Sequence, residues 1–330
     1  MASTADARNL FALVRKGIDV RAVHVHVSKP FRFLLCGDPA LVAEFRALLL
    51  SGHDGPVPIE AAACLETIRP EAPVVTNPNE VRAIVFLGRP GDAVGADFQS
   101  LSILRVPILA LTVDPQASSS GPAAPPEPGT WSEYVVSEIA REPLRGRFFP
   151  HLIECARGVE IAVGRNLPVL RDTVAAKLTR DAANNALKIA LASAVVDHIP
   201  LVGIVLGAFA SAGDMVAITG IQVMLMLHIE AAYGRDPDMG RAWQLLPIIG
   251  GGFGWRTLAR ELSGFVPIAG IAIKGAIAYA GTIVVGEGVT FFHEHGAHMT
   301  KGQAAALYEN TRNDALRFTR DLLTKLFRRS

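Results

Sequence analysis

Charge is missing from one long stretch of this chain, and that gap constrains the fold more than any motif does. Between Leu187 and Phe292, 106 residues carry only six Lys/Arg and seven Asp/Glu. That is about 12% charged, against about 22% elsewhere in the chain and roughly 25% in an ordinary soluble domain. Within the stretch, Asp214 is the only charged residue from Ile199 to Ile229, and Lys274 the only one from Leu262 to Gly286. Each run exceeds the roughly 20 residues that cross hydrocarbon. Each also starts near a proline and contains glycines, so a buried helical hairpin in a soluble bundle fits the same residues. With 330 residues, two regimes of chemistry predict two domains.

The less apolar half reads as α/β. Phe31–Cys36, Val81–Leu87 and Val106–Thr112 are short apolar runs, each stopped by a turn signal: Gly37-Asp38-Pro39, Gly88–Asp92 and Asp114-Pro115. Ala40–Leu50 has helical spacing between the first two. Strands alternating with helices predict a mostly parallel sheet. Val20–Val27 alternates and reads as an exposed extended segment with His24 and His26 on one face. Gln116–Thr130, rich in Ser, Pro, Ala and Gly, reads as a surface loop. Met1–Gly17 holds Asp6, Arg8, Arg15 and Lys16 without a continuous apolar core, which predicts a short docking helix and no export signal. The expected boundaries are 1–28 for a helix and extended segment, 29–145 for the α/β domain, 146–300 for the helical domain and 301–330 for a basic C-terminal helix.

A strand, a turn and a helix at Leu34–Glu44 is where a nucleotide-binding domain places its phosphate loop. That loop needs two glycines whose backbone N–H groups cradle phosphates, a Lys for the β/γ-phosphates and a Ser/Thr for Mg²⁺. Here Val42, Ala43 and Glu44 stand at the second Gly, the Lys and the Ser/Thr positions. A carboxylate there repels a triphosphate.

The helical half contains an internal repeat. Pro200-Leu-Val-Gly203-Ile204 matches Pro267-Ile-Ala-Gly270-Ile271, and a third Pro-x-x-Gly lies at Pro247–Gly250. Small residues recur every four positions, at Gly203, Gly207 and Ser211 and again at Ala272, Ala276 and Ala280. Such ridges let helix backbones approach closely, in lipid or in a tight soluble bundle.

Arg165-Asn-Leu-Pro168-Val-Leu-Arg171-Asp172, Asn185-Ala, Ile199-Pro200, Asp214-Met, Gln222-Val-Met, Ala232-Tyr-Gly234 and Phe265–Gly270 together carry a resemblance. Over Gly158–Gly296 the chain resembles the bacterial YcjF-related family, the domain of unknown function 697. That hydrophobic helical domain occurs alone or behind Era-like GTPase domains. The resemblance implies a GTPase-like ancestry for the α/β domain. Gly37 would then be the phosphate loop's first glycine, Thr76–Asn79 the position of D-x-x-G, and Asp114 the guanine-contacting Asp of N-K-x-D. Leu111 and Thr112 replace that motif's Asn and Lys. A pseudo-GTPase is what these departures imply, with Gly37 and Asp114 as remnants.

Isolated polar residues in the apolar segments are the other functional candidates: Asp197, His198, Asp214, Gln222, Lys274 and Glu287. Within a membrane each is functional by default; Gln222 reads better as an interhelical hydrogen bond. His293, His295 and His298 lack H-E-x-x-H spacing, because Ala297 stands at the second His position, and read as a solvated exit loop. In Leu307–Ser330 the apolar face comprises Leu316, Leu322, Leu323, Leu326 and Phe327. Arg312, Arg317, Arg320, Lys325, Arg328 and Arg329 line the rest. That helix either packs on its own protein or lies on anionic lipid.

No nucleophile–base pair, cofactor motif or metal spacing is present, so no catalytic residue, cofactor or metal is assigned. A net charge of +1, from 32 basic and 31 acidic residues, gives no global field for nucleic acid. Cys36, Cys64 and Cys155, odd in number and far apart, point to a reducing cytosol. The expected function is a non-catalytic membrane-associated protein on the cytoplasmic side of the inner or plasma membrane. In it a pseudo-GTPase domain joins a helical docking or oligomerisation domain. The alternatives are a soluble cytoplasmic two-domain scaffold and an unusual nucleotide-binding switch. A homo-oligomer or another protein is the further partner expected.

Overall fold

The computed structural model describes residues 20–70, 73–75, 77–92, 98–196, 203–240 and 267–327. Side chains are described over these ranges except at 193–196, 203–215, 267–272, 274 and 318–327. In chain order the elements are α1 (Val20–Val27), β1 (Arg32–Gly37), α2 (Pro39–Leu49), α3 (Ile59–Ala63), β2 (Leu65–Thr67), β3 (Val81–Gly88), α4 (Phe98–Ser102), β4 (Ile108–Val113) and β5 (Trp131–Val136). Then come α5 (Arg141–Arg145), α6 (Phe148–Cys155), α7 (Glu160–Asn166), α8 (Arg171–Val196), α9 (Gly203–Ala232), α10 (Pro267–His295) and α11 (Lys301–Phe327). They form two compact units. One is α/β, His24–Lys177 with Ala231–Arg235; the other holds the described residues of Met1–Val23, Leu178–Glu230 and Asp236–Ser330.

The α/β unit is built on five parallel strands in the order β2-β1-β3-β4-β5. The strands Phe33–Cys36, Ala83–Leu87 and Ile108–Leu111 are buried throughout, as a sheet covered on both faces requires. Leu34, Cys36, Ile84, Phe86, Ile108 and Ala110 pack on one face with Phe98 and Leu101 of α4. An aromatic cluster forms elsewhere in the core: Phe148 of α6 meets Phe45 of α2 at 5.7 Å and Tyr134 of β5 at 5.3 Å, both edge to face. These contacts explain why the α/β unit runs to Lys177, past the boundary expected at residue 145. Phe148, Phe149, Leu152 and Ile153 are fully buried side chains of the α/β core rather than the start of the helical domain.

Three expected strands appear as β1, β3 and β4; β2 and β5 were not expected. The Val20–Val27 segment is a helix, not an extended strand. Among the described residues it joins no strand of the sheet, and a helix pairs its backbone groups internally where an isolated strand cannot. Val23 is buried while Val25 is 63% exposed, which a shared strand face would not produce. His24 and His26 are two apart on that helix and do not face each other; His26 Nδ1 instead lies 3.2 Å from Lys29 Nζ.

In the helical unit, the described parts of both long apolar runs belong to single helices, α9 of 30 residues and α10 of 29, rather than to hairpins. Small residues on α10 bring α8 close. A Cβ on Gly286 would fall 2.2 Å from Thr179 Oγ1, and one on Gly275 would fall 2.7 Å from Leu187 Cδ1. The pairing runs antiparallel, and Ala186, Ala190 and Ala278 fill the centre with Ile218 and Ile221 of α9 beside them. Ala276 and Ala280 are fully buried, in line with the expected ridge; the side-chain positions of Gly203, Gly207, Ser211 and Ala272 lie outside the described residues. Gly286→Ala should therefore cost about 1–3 kcal/mol through overpacking against Thr179. Urea denaturation of the variant checks this, and Thr179→Ala in the same chain should recover part of the loss.

Candidate functional site

Strand order β2-β1-β3-β4-β5 belongs to a common class of doubly wound sheets whose ligands sit beyond the carboxyl ends of the strands, where the order reverses between β1 and β3. In this chain that edge is formed by Gly37-Asp38 after β1, Gly88–Asp92 after β3 and Asp114–Gln116 after β4. Gly37 has φ +110°, and a Cβ on it would lie 2.0 Å from the Leu87 carbonyl oxygen. It is glycine because β1 and β3 close tightly there; the Asp38 N–H donates to the same Leu87 oxygen at 2.8 Å.

The helix α2 then starts at once. Asp38 is its N-cap and Pro39 its first residue, a favoured pairing. Asp38 Oδ1 accepts from the Ala40 and Leu41 N–H groups at 2.8 and 3.1 Å. These are the donors that a phosphate would need. Only Asp38 separates Gly37 from the helix, so no loop remains to cradle a phosphate. Ala43 and Glu44 are exposed a turn into α2, and Val42 is buried. Beside them, Asp38 Oδ2 lies 3.8 Å from Arg89 Nε, and Asp92 Oδ2 accepts the Arg89 N–H at 2.7 Å. Asp114 also turns on its own backbone, accepting from the Gln116 N–H at 3.0 Å. Each acidic residue on this edge thus closes a turn of its own loop.

The structure places Gly37 and Asp114 on this same edge, separated by β3. It does not bring the Thr76–Asn79 position to them. Thr76 lies outside the described residues, and the short 3₁₀ turn Pro78–Glu80 sits at the opposite, amino end of the sheet. There Arg32, the first residue of β1, binds Glu80 at 3.0 Å and Glu66 at 3.2 Å.

Of the polar candidates in the helices, Gln222 makes the expected interhelical bond. It is 5% exposed, and its Nε2 donates to Thr282 Oγ1 at 3.3 Å. Glu287 is half-buried and partnered. Asp197 and His198 lie outside the described residues, as do the side chains of Asp214 and Lys274. His295 stacks on Phe291 and His298 on Phe292, with ring centroids 4.1 and 4.8 Å apart. Among the described residues no cluster of three His, Cys, Asp or Glu could hold a metal.

Residues that carried the resemblance meet in the α/β unit as a clasp. Arg171 Nε donates to the Gly164 carbonyl at 3.2 Å, and its guanidinium lies 5.9 Å from the Tyr233 ring centroid. Arg165 donates to the Arg235 carbonyl at 3.3 Å, and a Cβ on Gly164 would lie 3.0 Å from Ala232 Cβ. Burial pushes the pKa of Arg171 down, with Asp54 partly offsetting it. The motif residues whose contacts are described here hold chain segments together.

Sequence reading missed four further polar contacts. Asp172 takes Arg141 and Arg145 at 3.0 Å each; Lys177 binds Glu154 at 3.2 Å; Tyr134 Oη lies 2.9 Å from His151 Nδ1. Burial raises the Tyr134 pKa, and burial with Arg147 lowers that of His151, so a neutral phenol faces a neutral imidazole. Burial also pushes the thiols of Cys64 and Cys155 up, to about 11 and about 12, which keeps them protonated and unreactive. Only the residue types were visible in the sequence; their partners are supplied by other elements. No known protein family, curated protein or solved structure matches the chain.

Proposed function

We propose that this chain is a non-catalytic, membrane-associated protein on the cytoplasmic face of a membrane, similar in kind to the YcjF-related family. Its α/β unit is a GTPase-like domain that has lost its nucleotide site, and its helical unit docks at the bilayer. The observation that carries the membrane reading is Gly275–His295 of α10, 21 residues long and apolar enough to cross a bilayer. The loss of nucleotide chemistry is supported by Asp38, whose carboxylate takes the two N–H groups that a phosphate would take.

The full chain should float with vesicles in a density gradient without detergent present. It should give no heat and no thermal shift with GTP, GDP or ATP. Ala43→Lys with Glu44→Ser should still hydrolyse nothing, because neither position faces the start of α2. Recovery only as a monodisperse species at the bottom of the gradient would overturn the membrane reading. That outcome would favour a soluble scaffold, a second reading supported by the burial of 56% of the span's most apolar window. Turnover by stringently purified wild type would overturn the non-catalytic one.

A further inference from the structure

We propose that α11 is a strap over α10, and that α10 enters the bilayer only when the α10–α11 hairpin opens. This rests on the membrane reading above and adds the conformational step that it requires. The two helices are joined by five residues, Gly296–Thr300, and pack against each other as an antiparallel pair. The span Gly275–His295 is about 31 Å long, the thickness of the hydrocarbon core. In the closed hairpin the same depth is occupied by α11 from Lys301 onward. That stretch of α11 carries Lys301, Glu309, Arg312, Asp314 and Arg317. Each charged side chain at the centre of a membrane helix lowers insertion on the order of a hundredfold, and α11 would add these to the one carboxylate, Glu287, that α10 already carries near mid-span. The hairpin and a membrane-crossing α10 are therefore mutually exclusive states.

The strap has a start and a hinge of its own. Over residues 301–317 its buried side chains are Tyr308 and Ala315. Two ion pairs, Glu309–Arg312 and Asp314–Arg317, lie within α11. Its start is self-sufficient as well. Gln303 N–H donates to Thr300 Oγ1 at 3.2 Å while Gln303 Oε1 accepts from the Thr300 N–H at 2.9 Å, a reciprocal capping box. Gly296, at φ +65° and exposed, provides the pivot. Opening uncovers the α11-facing side of α10, whose Gly275 and Gly286 lie against α8.

The test is amide hydrogen exchange on the full chain, with and without vesicles of phosphatidylglycerol and phosphatidylcholine, alongside flotation. Vesicles should raise exchange across 301–317 about tenfold or more and slow it across 275–295. Ile283→Glu places a carboxylate mid-span at a half-buried site, compatible with the closed hairpin. It should cut the floated fraction about tenfold or more and leave α11 exchange at its lipid-free rate. Ala315→Asp should loosen the strap and raise flotation. Flotation of wild type with α11 exchange unchanged would overturn the strap while leaving membrane docking intact. Absence of flotation would overturn both.

Discussion

Gly37→Ala should destabilise the α/β unit by more than about 4 kcal/mol, a loss of the size seen when a core is disrupted. The new Cβ would sit 2.0 Å from the Leu87 oxygen and 2.9 Å from both its carbonyl carbon and its amide nitrogen. All three are backbone atoms of a buried central strand, paired in register with Gly37 itself. They cannot move without parting β1 from β3. The φ of +110° adds strain for any residue with a Cβ. Gly146→Ala is the control, since a Cβ there meets nothing within 4 Å; its change should be within about 0.5 kcal/mol, as for ordinary surface sites. Urea denaturation followed by circular dichroism checks both. A Gly37→Ala chain as stable as Gly146→Ala would mean that the β1–β3 closure is looser than described. Strand packing alone requires a glycine at Gly37, with no nucleotide needed to explain it.

How much of this was legible in the sequence depends on where each residue finds its partners. The strands β1, β3 and β4 were legible because central strands buried on both faces read as unbroken apolar runs. The missed strands differ in kind. Leu65-Glu-Thr67 is three residues long, and Trp131–Val136 mixes Ser and Glu into an edge strand buried at only Tyr134 and Val136. Valine–histidine alternation at Val20–Val27 supports either period, and among the described residues the segment joins no strand of the sheet. At the candidate site, Asp-Pro after an apolar run already signals a helix cap. Its consequence, that α2 begins too early for a phosphate loop, needed the helix start itself. Gln222 was read correctly as an interhelical bond, although Thr282 lies on another helix. The domain boundary was misplaced because Phe148 and Phe149 look like the start of an apolar helical domain. Only the positions of Phe45 and Tyr134 assign them to the sheet.

Asp172→Ala is the second large effect, about 2–3 kcal/mol in the α/β unit, somewhat below the 3–5 kcal/mol typical of breaking a fully buried pair. The carboxylate side chain is 5% exposed, and Arg141 Nη2 and Arg145 Nε both approach its Oδ2 at 3.0 Å. Its other oxygen accepts from the Thr173 N–H at 2.7 Å, in the first turn of α8, where a negative charge also meets the positive end of the helix dipole. Removing the side chain strips two guanidiniums of their counter-charge and leaves a helix-start donor unpaired. The discount from the fully buried figure arises because Arg141 and Arg145 are 46% and 53% exposed and can turn to water. Asp172→Asn should lose less, since an amide oxygen still serves Thr173. Replacing both arginines by methionine in the Asp172→Ala chain should recover part of the loss by removing the stranded charges. Urea midpoints measured at low and at 0.5 M salt, an ionic strength at which the Debye length is only about 4 Å, separate the terms. A loss that vanishes at high salt would assign Asp172 a surface role. A loss that persists identifies it as the buried anchor that ties α5 to the start of α8.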